Sequence, residues 1–233
     1  FVRVVDQKLP AHVFKRISPE LNNGGYTKSG TPVRVQLLGQ DPHWLAENAL
    51  TAIALGSHGV DLNFGCPAKT VNKSRGGAVL LKTPEQIYHI VSHVKSELGD
   101  NVLSAKIRLG FESTELFEEI VDAVLLGGTN QLTIHARTKQ DRYRPPAHWH
   151  FIKPVSKSAN IEIIANGEIW NREDALKCMA ESGCSSLMLG RGALSLPNIT
   201  QVIKYGHAPY TDRQLFELLL TYSHCELKGD KSF

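Results

Sequence analysis

A cysteine at the end of an apolar, strand-like run is the first candidate for chemistry. Residues 60–63 lead into the loop Asn63-Phe64-Gly65-Cys66-Pro67, which continues with Lys69, Lys73 and Arg75. A thiol at a strand tip near positive charge can serve in catalysis, because nearby cations favour its reactive form. Cysteine is also often a small apolar loop residue. The residue types alone leave both roles open for Cys66.

Two later strand-like runs end in polar side chains two residues apart. Lys106-Ile107-Arg108 closes one run, and His135-Ala136-Arg137 closes the next. Residues two apart on a strand share a face, so each pair should point to one side of the sheet. Buried cations need an anion or an electron-rich ring, unless one side chain reaches solvent. Lys106 and His135 could therefore converge on one ligand, although a lone histidine is more often structural.

Glycine-rich turns follow the last two strand-like runs. They read Asn166-Gly167-Glu168 and Gly190-Arg191-Gly192. Backbone N–H groups at such turns can approach an anion closely, and Arg191 adds positive charge. The two turns predict a phosphate site.

A single amide interrupts an earlier apolar run, Val35-Gln36-Leu37-Leu38. The Gln36 side chain offers a donor and an acceptor, which suits the edge of a heterocycle. A glutamine satisfied by backbone groups accounts for it equally well.

Basic loops surround these strand ends. One carries the lysines and arginine that follow Cys66, and the other carries Arg137, Lys139, Arg142, Tyr143 and Arg144. Cations with an interleaved aromatic ring suit a phosphate backbone and an unstacked base, although charge runs are usually solvated surface. Two runs beside one set of strand ends favour an RNA partner.

Composition sets broad limits on the class of protein. The net charge of +3 and the sequence pI near 8.6 lean only weakly towards an anionic partner. The four cysteines lack paired metal-ligand spacing, and His148-Trp149-His150 has no third ligand, so no metal site is predicted. The apolar runs are too short to cross a bilayer, so a cytoplasmic protein without a membrane partner is expected.

The elements that position these residues alternate between strand and helix. Strand-like runs occupy residues 2–5, 33–38, 60–63, 102–109, 131–136, 161–166 and 186–190. Helical patterns occupy residues 42–55, 84–98, 114–126 and 172–182. This alternation predicts a parallel sheet covered by helices, either a closed barrel or an open doubly wound sheet.

The barrel is the better prediction. No GxGxxG follows the opening strands, and the chemically loaded residues stand at the ends of many different strands. Seven runs, with the first unpreceded by a turn or cap, predict an α/β (β/α)8 TIM barrel whose first strand is absent from this chain. Residues 1–208 are expected to form the catalytic barrel, and residues 209–233 the start of a C-terminal helical domain.

The ordered motifs at residues 63–67, 106–108, 135–137, 166–169 and 190–194 resemble those of the bacterial tRNA-dihydrouridine synthases. The resemblance covers residues 1 to about 205, and residues 1–7, 33–39, 44–48 and 166–170 resemble the C subgroup in particular. It implies that uridine 16 in the D-loop of tRNA is reduced to dihydrouridine, with tightly bound FMN, transient NADPH as reductant and a monomeric enzyme.

The resemblance also implies residue roles. FMN would be bound by Gln36, Lys106, His135, Asn166, Gly167, Glu168, Gly190 and Arg191. Cys66 would protonate C5 of the uracil after hydride reaches C6. The substrate or tRNA would be bound by Asn63, Lys69, Arg75, Arg108, Arg137, Lys139, Arg142 and Tyr143. Two other functions stay open: a flavin-dependent barrel acting on a free pyrimidine, like dihydroorotate dehydrogenases, and a non-catalytic RNA-binding barrel.

Overall fold

The computed structural model describes residues 1–68, 70 and 76–227, with side chains to residue 223. Its strands are β1 (Val2–Arg3), β2 (Val35–Leu38), β3 (Val60–Asn63), β4 (Leu103–Arg108), β5 (Gln131–His135), β6 (Glu162–Asn166) and β7 (Ser186–Met188). All neighbours are parallel, and their order in the sheet is their order in the chain. A doubly wound sheet reverses its strand order, whereas a (β/α)8 barrel does not. The predicted barrel class is confirmed.

Helices connect the strands and continue beyond the last one. They are α1 (Ala11–Ile17), α2 (Pro42–Ala54), α3 (Pro84–Leu98), α4 (Phe117–Leu126), α5 (Ile152–Ser158), α6 (Arg172–Ser182), α7 (Arg191–Ser195), α8 (Ile199–Tyr205) and α9 (Asp212–Leu227). Short 3-10 turns occupy Pro19–Asn23, Gly77–Lys82 and Trp149–Phe151. In the described residues, no helix has the length and apolar character needed to span a bilayer.

Local sequence signals explain the helix boundaries. Asp41 caps α2, since its side chain accepts from the Trp44 backbone N–H at 3.0 Å. Asn171 caps α6 in the same way through the Asp174 N–H at 2.8 Å, and Gly183 ends that helix at φ +71°. Predicted helices 84–98 and 172–182 have the observed bounds, while the run at 114–126 becomes helical only at Phe117.

Alternation along the strands separates an apolar core from a polar barrel interior. On β4, Leu103, Ala105 and Ile107 are fully buried in the core shared with the helices. Ser104 and Lys106 point the other way, into the cavities inside the barrel. The same alternation on β3, β5 and β6 sends polar side chains inward. Strand pleating therefore gathers the chemically active residues in the barrel interior.

Strand register arranges these inward side chains in rows around the barrel. One row runs Gln36, Asp61, Ser104, Gln131 and Glu162 through successive register pairs. A higher row, nearer the carboxyl ends, runs Arg108, His135, Asn166 and Met188. The higher row forms the base of the cavity described next.

Candidate active site

A cavity of about 420 Å³ opens at the carboxyl ends of the strands. The residues predicted for the site that line it are Gln36, Asn63, Cys66, Lys106, Arg108, His135, Arg137, Tyr143, Asn166, Gly167, Glu168, Gly190 and Arg191. Lys139 and Arg142 belong to the surrounding loop and do not line it. Lys69, Lys73 and Arg75 lie outside the residues that the structure describes. The fold thus brings together side chains from six strands and the loops that follow them.

The loop that carries Cys66 is fixed by hydrogen bonds on both sides of the cysteine. The Gly65 N–H donates to Asn63 Oδ1 at 2.9 Å, and the Gly65 carbonyl accepts from Arg108 Nε at 2.8 Å. The Cys66 carbonyl accepts from the Ala78 N–H at 3.1 Å. The Cys66 side chain is partly exposed and borders the cavity. A thiol held in this way can meet a bound ligand without first ordering its own loop.

Lys106 contributes a titratable cation to the cavity. Its Nζ donates to Asn166 Oδ1 at 2.9 Å. Burial, and then the nearby Arg108 guanidinium, lower the pKa of Lys106 to about 8, while Asp61 acts in the opposite direction. The ammonium form therefore predominates at neutral pH, and it is lost over a range that enzymes encounter.

His135 is a neutral imidazole surrounded by cations. Burial lowers its pKa to about 2, assisted by Arg108, Lys106, Arg137 and Arg191. Arg137 Nη1 lies 3.3 Å from His135 Nε2. Because a guanidinium can only donate, Nε2 must accept, and the ring proton is assigned to Nδ1. His135 can therefore offer a hydrogen-bond donor to a ligand but cannot act as a cationic acid near neutral pH.

The turn after β6 is held in an unusual backbone shape. Gly167 has φ +120°, and a Cβ there would lie 2.9 Å from His135 Cδ2, so glycine is required. Glu168 also has positive φ, at +56°. Its carboxylate pairs with the Arg137 guanidinium and accepts from Trp170 Nε1 at 2.8 Å. These two partners stabilise the strained residue and fix the backbone that faces the cavity.

Cations and aromatic rings alternate across the mouth of the cavity. The Arg191 guanidinium carbon lies 4.8 Å from the Trp170 ring centroid and 4.9 Å from that of Tyr143. The Arg108 guanidinium carbon lies 5.4 Å from the same Tyr143 ring centroid. Stacking on the aromatic rings covers the planar faces of the guanidinium groups and keeps these cations at the mouth of the cavity. Tyr143 is still 49% exposed and presents a ring to solvent.

The two strand-tip arginines are buried supports as well as cavity-lining residues. Arg108 is 2% exposed, and its Nη1 donates to the Thr138 and Arg142 carbonyls at 3.0 and 2.9 Å. The Arg137 side chain is 0% exposed, and its Nε donates to the Arg144 carbonyl at 2.6 Å. Arg137 thus has no exposed surface for the outer RNA contact predicted from the sequence. Both side chains shape the 138–144 loop.

The outer rim keeps basic side chains accessible. Arg142 is exposed at φ +56°, and the Lys139 ammonium lies 4.4 Å from the Phe111 ring centroid. Lys82, which the sequence did not single out, lies 4.3 Å from the same ring and pairs with Glu112 at 2.7 Å. With the Glu112 carboxylate beside them, the two ammonium groups leave this set of side chains with a net positive charge, which suits an anionic partner.

A hydrogen-bonded chain of amides extends from the cavity into the barrel. Asn63 Nδ2 donates to Gln36 Oε1 at 2.7 Å, and Gln36 Nε2 donates to Asp61 Oδ2 at 2.6 Å. The sequence left two interpretations of Gln36: a contact to a heterocycle, or an amide hydrogen-bonded to the backbone. The second does not hold, since both partners of the amide are side chains. The Gln36 amide still borders the cavity.

Sequence reasoning missed Asp61 and Trp170. Asp61 stands two residues before Asn63 on the same strand, so period-two alternation could have placed it inside the barrel. Trp170 lies in the loop after β6, and no local pattern indicates that it contacts both Glu168 and Arg191.

The assembled side chains suit a flat ligand that carries negative charge. Lys106, Arg108 and Arg191 supply cations, His135 supplies a neutral donor, and Cys66 supplies a thiol at one edge of the cavity. Among the described residues, no three His, Cys, Asp or Glu side chains are grouped to hold a metal ion. The arrangement can bind an anionic ring system and transfer a proton beside it.

Comparison with known proteins gives extensive sequence matches. A family model described as dihydrouridine synthase (Dus) matches residues 1–223. The tRNA-dihydrouridine(16) synthase of Shewanella oneidensis is 56% identical over 233 residues, which cover 100% of this chain and 74% of that protein. Proteins of the same description from Vibrio parahaemolyticus and Escherichia coli K12 are 52% and 51% identical to this chain. Each match includes 99% of this chain, and it includes 72% of the Vibrio protein and 74% of the Escherichia coli protein.

Proposed function

Because the chain belongs to the dihydrouridine synthase family, we propose that it reduces a uridine of tRNA to dihydrouridine, and that the uridine is at position 16. The position follows the names of relatives 51–56% identical over nearly the whole chain. The structural observation that carries the proposal is the placement of Cys66 on the same cavity as Lys106, His135 and Arg191. A proton donor and a cationic ring-binding site are what this reduction needs.

FMN fits the donor set of this cavity. Lys106 and Arg191 supply positive charge, and the backbone of Gly167 and Gly190 lines the same space. We propose that Gln36, Lys106 and His135 bind the ring system, while Asn166, Gly167, Glu168, Gly190 and Arg191 surround the phosphate. When bound, the flavin supplies the hydride that reaches C6 of the uracil. NADPH is the proposed reductant, visiting the open mouth transiently.

Cys66 is the proposed acid. Hydride addition at C6 leaves negative charge on C5 and on the C4 carbonyl, and the Cys66 thiol donates its proton to C5. Lys106 and Arg108 make the surroundings of that developing charge positive. Since His135 is neutral with a pKa near 2, it is not suited to supply this proton at physiological pH. Asn63, at the base of the cysteine loop, is the proposed contact for the substrate base.

The tRNA is proposed to bind across the basic rim. The target base is stacked in folded tRNA and must be unstacked to reach the cavity, where Tyr143 offers an exposed ring. Lys139 and Arg142 are proposed to contact the RNA backbone, together with Lys69 and Arg75, which lie outside the residues that the structure describes. Arg108 contributes from the cavity wall, and Arg137 acts by holding the 138–144 loop.

We propose that residues 1–208 form the catalytic barrel and that residues 209–233, of which the structure describes those up to residue 227, begin a helical domain. In α9, Phe216 and Leu219 are 61% and 64% exposed, which leaves apolar surface for further packing. A monomer acting in the cytoplasm, where tRNA is modified, is the proposed working state.

The decisive experiment supplies the purified protein with FMN, NADPH and tRNA that lacks dihydrouridine. Mass spectrometry of nuclease fragments should then locate one dihydrouridine at position 16. The same enzyme should leave free uracil and orotate unreduced, which separates tRNA reduction from a free-pyrimidine activity. Absence of dihydrouridine from tRNA, or turnover of a free base instead, would overturn the proposal.

A further inference from the structure

We propose that Asp61 is a positioning residue that anchors the Gln36 amide in the active site and supports the Asn63 amide through it. This role rests on the tRNA reduction proposed above. Asp61 does not line the active-site cavity; it lines a second cavity deeper in the barrel, and Gln36 borders both. Asp61 can therefore reach a substrate only through its neighbours.

The carboxylate of Asp61 is held firmly in the barrel interior. It is 8% exposed, and it accepts from Gln36 Nε2 at 2.6 Å and from Ser104 Oγ at 2.5 Å. Strand register sets both partners directly beside it, one on β2 and one on β4. A buried carboxylate needs hydrogen-bond donors for its oxygens. The barrel supplies them from both neighbouring strands.

The hydrogen-bond chain has a single direction because the Gly65 N–H at one end can only donate, and Asp61 is the acceptor at the other end. Gln36 must turn its Nε2 towards Asp61, which leaves Oε1 facing Asn63 Nδ2 at 2.7 Å. Asn63 Oδ1 then faces the Gly65 N–H at 2.9 Å. Without an acceptor at position 61, Gln36 Nε2 loses its partner, and of the two bonds described the Gln36 amide keeps the one from Asn63 Nδ2. The amide can then pivot about that bond, and it no longer presents a fixed edge to the cavity.

The orientation matters because both amides border the active-site cavity. Each amide nitrogen has one proton beyond the bond already described, and each amide oxygen has a second lone pair. These remaining groups are available to the ligand and base. Sites that read a base edge through hydrogen bonds lose much of their rate when a polar group faces the wrong partner. Asp61 thus acts on the reaction through Gln36 and Asn63.

Two substitutions distinguish the hydrogen-bond acceptor at position 61 from its negative charge. Asp61→Leu removes the acceptor in a side chain of similar size. In Asp61→Asn, the new amide oxygen can accept from Gln36 while its NH₂ donates to Ser104 Oγ. The Ser104 hydroxyl can then donate to the Val60 carbonyl, already 3.5 Å away. Asparagine therefore keeps an acceptor for Gln36 and loses the charge. Thr133→Val, at an interior position on β5 that is 2% exposed, is the matched control.

The measurement divides the catalytic cycle of the flavin-loaded enzyme into its two halves. Anaerobic reduction by NADPH does not require the base, whereas reoxidation by tRNA does. We expect Asp61→Leu to slow reoxidation by roughly 10- to 100-fold, the range for losing a hydrogen bond to a charged group, while reduction is largely retained. Asp61→Asn should recover most of the rate, and Thr133→Val should match wild type. FMN binding to the apoprotein, measured by fluorescence quenching, should weaken in Asp61→Leu and recover in Asp61→Asn.

Three results would overturn the positioning role. They are wild-type reoxidation in Asp61→Leu, equal slowing of both half-reactions, and an Asp61→Asn enzyme as slow as Asp61→Leu. If Asp61→Leu does not fold, Asp61→Asn combined with Ser104→Ala takes its place, because the asparagine then loses the hydroxyl that fixes its orientation. A wild-type enzyme that tRNA cannot reoxidise would instead refute the proposed function itself, and the inference with it.

Discussion

Lys106 and Asn166 are joined across the barrel interior, where Lys106 Nζ donates to Asn166 Oδ1 at 2.9 Å. Asn166 Nδ2 donates in turn to the Met188 carbonyl at 2.8 Å. The connection runs from β4 to β6 and on to β7, bypassing β5. These hydrogen bonds hold the Lys106 ammonium group near the tips of β6 and β7, which the two glycine turns follow. We therefore expect the protonation state of Lys106 to affect ligand binding.

The pH profile of tRNA reduction should reveal Lys106. Its pKa is about 8, set by burial and by Arg108 against the opposing charge of Asp61. The charged form is lost as pH rises through that value, so activity should fall on the alkaline side near pH 8. In Lys106→Arg, whose guanidinium stays protonated, this decline should disappear from the kcat/KM profile. Lys139→Arg is the control, and a decline that persists in Lys106→Arg would assign it to another group.

Replacement of Cys66 should abolish chemistry without affecting the fold. Loss of a general acid lowers rates by roughly 10²- to 10⁴-fold, so Cys66→Ala should form little dihydrouridine while still binding FMN. Its melting temperature should match wild type, because a partly exposed rim thiol contributes little packing. Cys184→Ala should have the opposite effect, on stability rather than on activity. That side chain is 5% exposed, so stability should fall while dihydrouridine formation continues. Normal turnover in Cys66→Ala would remove its assigned role.

Removing one partner of the Arg137–Glu168 pair should be destabilising. Glu168→Gln leaves the Arg137 guanidinium, 0% exposed, without its counter-charge. Breaking a fully buried pair costs about 3–5 kcal/mol in the free energy of unfolding. Because Glu168 is 24% exposed, we expect a loss near or below the lower end of that range, measured by urea denaturation. Glu181→Gln, in the exposed pair with Lys177 at 3.9 Å, should change stability by less than about 1 kcal/mol. Equal effects in the two variants would contradict this assignment.

The basic rim should contribute to tRNA binding through its charge. Lys139→Glu and Lys82→Glu, at the two lysines that lie over the Phe111 ring, should each weaken tRNA binding. For every phosphate that a variant no longer neutralises, the slope of log affinity against log salt should become shallower by about 0.7–0.9. Lys177→Glu, 68% exposed on α6, serves as the control for the change in net charge. An unchanged slope in the rim variants would remove this surface from the RNA interface.

Sequence patterns could predict the barrel and the membership of its cavity. Runs such as 60–63 and 131–136 carry period-two alternation, which fixes both the strand and its inward face. Strand tips of a barrel converge by geometry, so Cys66, Lys106 and His135 could be placed together without knowing any distance. The helix α1 was missed, because it is only seven residues long and is anchored by the burial of Phe14.

Partners distant in sequence could not be predicted. Arg108 and Arg137 line the cavity, but they also donate to backbone carbonyls and to Glu168 in the loops around them, and no local pattern indicates those partners. Asp61 contacts Gln36, 25 residues earlier, and Ser104, 43 residues later. These contacts depend on strand register and loop path, neither of which is encoded in any local spacing.

The single guanidinium of Arg108 fastens two loops together. It binds the Gly65 carbonyl beside the thiol and the Thr138 and Arg142 carbonyls of the basic segment. The loop that carries the thiol and the 138–144 loop therefore share one anchor, and loss of that anchor would release both. Through it, a polyanion bound on the outer segment could affect the position of the sulfur atom, although the two are separated by more than seventy positions along the chain.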